Sequence, residues 1–391
     1  MKNFALISKD AMCTDYVPVY GNTRWKTPNI DALAAQGTVF RNHYTAATST
    51  IMAFHAMGMG VWPHETKYEM YEKIHEKIEG PTAFTRLREK GFECHVVWDD
   101  MWMNLFNYYD YYRDDATVHS LHGIRQGVGA HYVHKGFLVP NPAKTEMAWN
   151  LVKNELDGIF ARKGPVFLWI HFPHVLNGCV SYGSDMEVFD RFVGLIRKYV
   201  DDDRIAITAD HGNQNGHKGK IGYGYDVYQE SARIPLIAPR FGNNAEWRKP
   251  TSNVDLFDIV FGNVPEREFI YVDTAYRAQR HRKLAIVRDR FKYIYTKASG
   301  LEELFDLEFD PHEEFSVMDD YVYDTDRRIR APSRELYYYP HWDELPEVRR
   351  LMRAEKDRIW KNGSWPVVVK SVVKGWIRPL YVRLHKKKIQ Q

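Results

Sequence analysis

The sequence predicts an α/β fold: a mostly parallel sheet flanked by helices, with a smaller antiparallel subdomain at the C-terminal end. Three observations carry that expectation. Short apolar runs alternate with helix-period segments through about residue 263, the pattern of a doubly wound sheet. Two of those runs, Asn3–Lys9 and Ile205–Ala209, stop abruptly at carboxylates, Asp10 and Asp210, as strand tips that open into a crevice do. From about residue 264 the pattern changes, and Lys283–Thr296 reads as two short strands around a polar turn.

Taken in order, residues 3–9 form the first strand. Thr27–Gly37 is a short helix with Pro28 at its start and Gly37 at its stop, the usual asymmetry of these two residues. Val39–Tyr44 is the next strand. Three hydroxyl residues, Thr48, Ser49 and Thr50, then open a helical run that ends at Gly58. Thr82–Lys90 is an amphipathic helix and Phe92–Trp98 a strand. Met101–Lys135, rich in Tyr, Asp and His, has no clear period and reads as a lid or insertion. Glu146–Ala161 is helical, Pro165–His171 a buried strand, Met186–Val200 helical, and Arg204–Thr208 the strand that delivers Asp210. No internal repeat is present. The chain thus divides into a catalytic domain (1–263), a C-terminal subdomain (264–362) and a basic amphipathic tail (363–391).

Composition narrows the function classes. Hydrophobic residues make up 44% of the 391, enough for a large core. A net charge of +3 is too small to point to nucleic acid. Cys13, Cys94 and Cys179 are sparse, odd in number and without CxxC spacing, which suggests a reducing compartment. With a strand beginning near residue 3 and no long apolar run, a cytoplasmic protein is expected. Between Trp365 and Gln391 no acidic residue occurs, while Lys370, Lys374, Arg378, Arg383, Lys386, Lys387 and Lys388 interleave with Val, Trp, Ile, Leu and Tyr. This segment is either interfacial, drawn to the anionic inner face of a membrane, or a C-terminal helix packed on the body.

The string Ala209-Asp210-His211-Gly212 is the chemical centre of the sequence. Read alone, it is either a strand-end turn or half of a metal site. Asp10, on a second strand tip far away in sequence, supplies the other half, because a split site on a sheet draws its ligands from separate tips.

With these residues in view, the chain resembles the sulfatase branch of the alkaline phosphatase superfamily. Six segments carry the resemblance, in the family's order: Asp10; Lys26-Thr-Pro-Asn-Ile-Asp-Ala-Leu-Ala34; Gly60-Val-Trp-Pro63; Asp210-His-Gly212 to His217 with Tyr228-Gln-Glu-Ser-Ala-Arg-Ile-Pro-Leu-Ile237; Val254-Asp-Leu-Phe-Asp-Ile259; and Glu303-Leu-Phe-Asp-Leu-Glu-Phe-Asp-Pro-His-Glu313. The resemblance implies a sulfatase-like fold and a metal held by Asp10, Asp210 and His211. It also implies a nucleophile about ten residues before Gly60, at Thr50 or at its neighbours Ser49 and Thr48. His217, with Lys220 or Lys218, would neutralise oxygens of the substrate, and His174 or His171 would serve the leaving group. His43 and His55 lie close to the hydroxyl cluster and read as core residues.

The sequence also departs from that pattern. A sulfatase oxidises a Cys or Ser in a CxPSR context to formylglycine, whereas this chain reads Thr50-Ile-Met-Ala-Phe54. The second carboxylate of the usual Asp-Asp pair is Ala11, and the family's basic segment is replaced by Val97-Trp-Asp-Asp-Met101, with Asp99 and Asp100 as its candidate substitutes. An unmodified threonine with one Asp at the first tip and Asp-His at the second instead resembles the phosphoethanolamine and phosphoglycerol transferases of the same superfamily. The expected activity is a metal-dependent phosphotransferase or phosphodiesterase acting through phospho-Thr50 on a phosphoester small molecule, lipid headgroup or glycan-linked substrate. A divergent sulfatase and a silent sulfatase-fold binding protein are the alternatives. One divalent ion is expected, Mn²⁺ or Zn²⁺ ahead of Ca²⁺, since an oxygen-rich set with one imidazole suits either.

Overall fold

A computed structural model describes residues 2–65, 81–99, 115–121, 131–134, 137–173, 182–274, 282–319, 321–323, 329–332 and 339–362. The main sheet is built from β1 (Phe4–Lys9), β2 (Thr38–Phe40), β3 (Glu93–Trp98), β4 (Thr117–Ser120), β5 (Val166–Phe172), β6 (Ile205–Ala209), β7 (Leu236–Ala238) and β8 (Glu246–Trp247). Their order is β8-β2-β7-β6-β1-β5-β3-β4. The block β6-β1-β5-β3-β4 is parallel, while β7 runs antiparallel between β6 and β2. Every residue of β1, β5 and β6 is buried, which is why these strands read as unbroken apolar runs rather than as alternation.

Helices cover both faces. Side chains at odd positions of β1, Ala5 and Ile7, pack with Ile30 and Leu33 of α1 (Pro28–Gln36), with Val152 of α4 (Pro142–Phe160) and with Phe189 of α5 (Tyr182–Ile196). Even positions, Phe4 and Leu6, pack with Ile51 and Phe54 of α2 (Thr50–Met59) and with Phe84 of α3 (Ala83–Glu89). Strand side chains alternate between faces, so Ser8 and Asp10 follow Phe4 and Leu6 onto the α2 side.

The strand expected over Val39–Tyr44 is two pieces. The chain turns at Arg41–Asn42, and His43–Tyr44 leaves the main sheet to pair with Thr251–Ser252. The turn is held from outside the segment: Arg41 Nε donates to Glu246 Oε1 at 3.0 Å and Asn42 Nδ2 to the Arg248 carbonyl at 2.7 Å. The C-terminal antiparallel sheet is present as read, with β9 (Ile270–Asp273), β10 (Lys283–Arg288), β11 (Phe291–Thr296) and β12 (Leu301–Asp306) in sequential order. The β10–β11 turn passes through Asp289 at φ 51°. One face of this sheet buries Leu345, Met352 and Ile359 of α6 (Leu345–Asn362). The expected boundary near 263 falls between the two sheets. Most of the lid segment 101–135 and all of the tail 363–391 lie outside the described residues. Among the described residues no helix is long and apolar enough to cross a membrane.

Candidate metal and nucleophile centre

Register brings the two carboxylates together. β1 and β6 are parallel neighbours with Lys9 opposite Ala209, so the next residue on each strand, Asp10 and Asp210, emerges side by side at the C-terminal edge. Both are buried, as is His211. Ligand atoms of Asp10, Asp210 and His211 all lie within 4.8 Å of one another.

The backbone decides which atoms face inward. Asp210 Oδ1 accepts from the amides of Ala11 at 3.0 Å and His211 at 2.8 Å, and Oδ2 receives no hydrogen bond from the described residues. Ala11 makes its contact from the left-handed region, at φ 57°, a conformation that costs a non-glycine residue about 1–2 kcal/mol. His211 Nδ1 lies 2.8 Å from the Gly212 carbonyl. A carbonyl only accepts, so Nδ1 carries a proton, and Nε2 is the ring nitrogen left to ligate a cation. Nε2 faces Asp210 Oδ2 at 3.4 Å and Asp10 Oδ1 at 3.6 Å.

Two carboxylates and an imidazole nitrogen thus converge in a buried space, a donor set suited to a cation. Burial, opposed by the His211 ring and aided by the Asp10 carboxylate, pushes the Asp210 carboxyl up to about 6. The donor set and its spacing fit one divalent ion, with Asp10, Asp210 and His211 holding it, and the Nδ1–H bond to Gly212 is the outer contact that fixes a ligating imidazole.

Thr50 closes the fourth side. It is the first residue of α2, on the sheet face that carries Asp10, and its Oγ1 lies 3.1 Å from His211 Nε2. Ser49, at the N-cap, makes no side-chain capping bond, so the first-turn amides and the positive end of the helix remain directed at the site. The hydroxyls of Thr48 and Ser49 are buried and receive no hydrogen bond from the described residues. Of the three hydroxyls, Thr50 is the one within reach of His211.

The remaining candidates sit as follows. His171 lies on β5 opposite Ser8, with its ring edge-on to Phe54 at 4.7 Å. Burial holds its imidazole down to about 3. His174 and Asp100 lie outside the described residues, and Asp99 is buried. His217 Nε2 is 3.1 Å from Glu314 Oε1, the Lys218 ammonium donates to the Glu313 carbonyl, and the Lys220 ammonium pairs with Asp226. These three groups are thus engaged beside the C-terminal sheet, where Lys283 shares Asp226 at 2.8 Å. His43 bonds Thr251 at 3.0 Å, and burial lowers both His43 and His55, as befits core imidazoles.

Several contributors have no local sequence signal. Tyr223 packs on His211 with ring centroids 4.4 Å apart. Cys13 Sγ donates toward the Asn213 carbonyl at 2.9 Å, tying the first strand's exit to the loop after Asp210. Gly212 is explained by close approach: a Cβ there would lie 2.0 Å from the Glu230 carbonyl oxygen, while its amide donates to Ser231 at 2.9 Å. Gly212→Ala should therefore destabilise the protein by about 1–3 kcal/mol and displace His211. Thermal unfolding with and without Mn²⁺ should show a lowered midpoint and a diminished metal-dependent rise.

Known proteins resemble this chain in sequence and in fold. The family model described as Sulfatase matches residues 2–175. A choline-sulfatase of Rhizobium meliloti (strain 1021) is 27% identical over 222 residues, 47% of this chain and 42% of the relative; the match thus spans less than half the length of that enzyme. Among solved structures, a phosphonate monoester hydrolase of Agrobacterium radiobacter superposes with TM-score 0.65 at 16% identity, covering 93% of this chain and 96% of that one. A 2-O GAG sulfatase superposes with TM-score 0.62 at 16% identity, covering 92% of each.

Proposed function

We propose that this chain, which belongs to the sulfatase-like branch of the alkaline phosphatase superfamily, is a metal-dependent phosphoester hydrolase or transferase that uses Thr50 as its nucleophile. The observation that carries the reading is the Thr50 hydroxyl at the start of α2, 3.1 Å from His211 Nε2 and beside two buried carboxylates. Asp10, Asp210 and His211 would hold a divalent ion, whose positive charge would favour an ionised Thr50 hydroxyl and offset charge on the reacting ester. Helix α2 adds its amides and dipole at the same point. Thr50 Oγ1 bonds to phosphorus as the ester oxygen leaves, and water or an acceptor hydroxyl then takes the phosphoryl group from Thr50. His217 and Lys220 are assigned to the non-bridging oxygens, which requires them to exchange Glu314 and Asp226 for substrate. His174 is assigned to the leaving oxygen. The substrate class is a phosphoester small molecule, lipid headgroup or glycan-linked ester, and the ion Mn²⁺ or Zn²⁺.

A second reading, sulfuric ester hydrolysis, is favoured by the family model and the similarity to choline-sulfatase. Threonine cannot be oxidised to formylglycine, which weighs toward phosphoesters. A panel of phosphodiesters, phosphonate monoesters and sulfate esters, read by turnover and by intact mass, separates the two: phosphorus esters should turn over and leave an adduct on Thr50. Turnover confined to sulfate esters overturns the leading reading.

Membrane association through residues 363–391 belongs to the same proposal. Seven basic residues without an acidic neighbour contribute roughly 1 kcal/mol each at an anionic surface. Anionic vesicles should sediment the full chain more than a chain ending at Asn362, with the difference shrinking as salt rises. Equal partitioning assigns the tail to ordinary packing.

A further inference from the structure

We propose that Trp169 and Ser8 lock His171 in the tautomer with its proton on Nε2, making it a fixed hydrogen-bond donor to an oxygen of a tetrahedral anion bound at the metal centre. The donor role rests on the proposed function; the tautomer does not.

The tautomer follows from counting hydrogens. Trp169 Nε1 donates to Ser8 Oγ at 2.9 Å, and Ser8 Oγ lies 2.9 Å from His171 Nδ1. An indole nitrogen only donates, and a hydroxyl has one hydrogen to give. Ser8 is fully buried and makes no other side-chain hydrogen bond among the described residues, so its hydrogen goes to His171 Nδ1. The opposite assignment leaves that hydroxyl hydrogen without an acceptor in a dry core, which disfavours it by roughly ten- to a hundredfold in population. Burial keeps the ring neutral near pH 7, so the single ring proton resides on Nε2.

Position then supplies the role. Ser8 and His171 are opposite one another on β1 and β5, on the face that carries Asp10 and α2. The edge-on Phe54 ring, at 86°, restrains the imidazole plane. His171 Nε2 makes no hydrogen bond among the described residues and is not sealed from solvent. The site thus holds two histidines of opposite tautomer. His211 leaves Nε2 to ligate a cation; His171 offers an N–H suited to an anion. With its proton on Nε2, His171 has no lone pair there for a metal, and with its ring neutral it is a poor general acid. Ser8 and Trp169 are positioning residues that act through it.

The test is a long-range ¹H–¹⁵N correlation of the uniformly labelled full chain, with the His171 signals assigned by their loss in His171→Gln and, independently, in His171→Asn. The expected pattern has Nδ1 unprotonated and Nε2 protonated, and the Nε2–H resonance should move when inorganic phosphate is added in the presence of Zn²⁺. Protonation at Nδ1, or an Nε2–H resonance indifferent to phosphate at concentrations that shift other site resonances, overturns the proposal. If no shift occurs anywhere in the site, the donor role falls as well. In turnover, His171→Gln, whose amide places an N–H near the Nε2 position, should keep more activity than His171→Asn by roughly tenfold or more. Equal loss in the two variants counts against the donor. A chain that shows the expected tautomer and phosphate shift but turns over no ester refutes the proposed function alone.

Discussion

Asp210→Asn should abolish divalent-ion binding and lower turnover by roughly a thousandfold or more, while making the ion-free protein more stable than the unaltered chain. The two effects have one origin. In the ion-free protein, Asp210 Oδ2 and Asp10 Oδ1 both lie close to His211 Nε2, Asp210 Oδ2 receives no hydrogen bond from the described residues, and the Asp210 carboxyl is pushed up to about 6. An amide keeps Oδ1 as acceptor for Ala11 and His211 and turns an N–H toward the other two atoms. The pH dependence has a definite sign. A carboxyl whose folded pKa lies above its unfolded value stabilises most below the unfolded value. The ion-free protein should therefore lose stability as pH rises from about 4 through about 6, by about 2–3 kcal/mol in all. Added Mn²⁺ or Zn²⁺ should restore it above that range, because the ion competes with the proton. Thermal melts from pH 4 to 8, with chelator and with metal, measure this directly. An ion-free melting temperature that rises steadily over the window, or an unchanged metal-dependent shift in Asp210→Asn, removes Asp210 from the metal site.

Thr50→Ala should remove turnover by roughly a thousandfold or more while leaving the metal-dependent rise in melting temperature in place. The structural cost should be about 1 kcal/mol or less, since Thr50 is only partly buried at a helix start and its one recorded side-chain bond is to His211. Thr50→Ser should keep a measurable rate and the covalent adduct, whereas Ser49→Ala should leave both intact. Intact mass after incubation with turned-over esters locates the adduct. Retained turnover in Thr50→Ala, or loss in Ser49→Ala with metal binding preserved, transfers the chemistry to the neighbouring hydroxyl.

Much of this centre was legible before any coordinate. A buried strand that ends in a carboxylate needs only local pattern to be recognised, and Phe4–Asp10 and Ile205–Asp210 both show it. Pro28 and Gly37 mark α1 by backbone chemistry, and the hairpin at Lys283–Thr296 follows from two short runs around a polar turn. The single strand expected over Val39–Tyr44 is broken in two, because the turn at Arg41–Asn42 is stabilised by Glu246 and Arg248, about two hundred residues away. His217 and Lys220 were legible as basic residues after the metal loop, but their pairing with Glu314 and Asp226 was not.

The sequence by itself determined the residue types and the strand tips on which they sit, because hydrophobic period and chain-breaking residues act over a few positions. Tertiary structure decided which tips meet, through the Lys9–Ala209 register, and which hydroxyl of Thr48, Ser49 and Thr50 reaches His211. It also set the protons: Gly212 places one on His211 Nδ1, while Ser8 and Trp169 place one on His171 Nε2. A tautomer is fixed by the partner of the other ring nitrogen, and for His171 that partner lies 163 positions away along the chain, beyond the range of any local pattern.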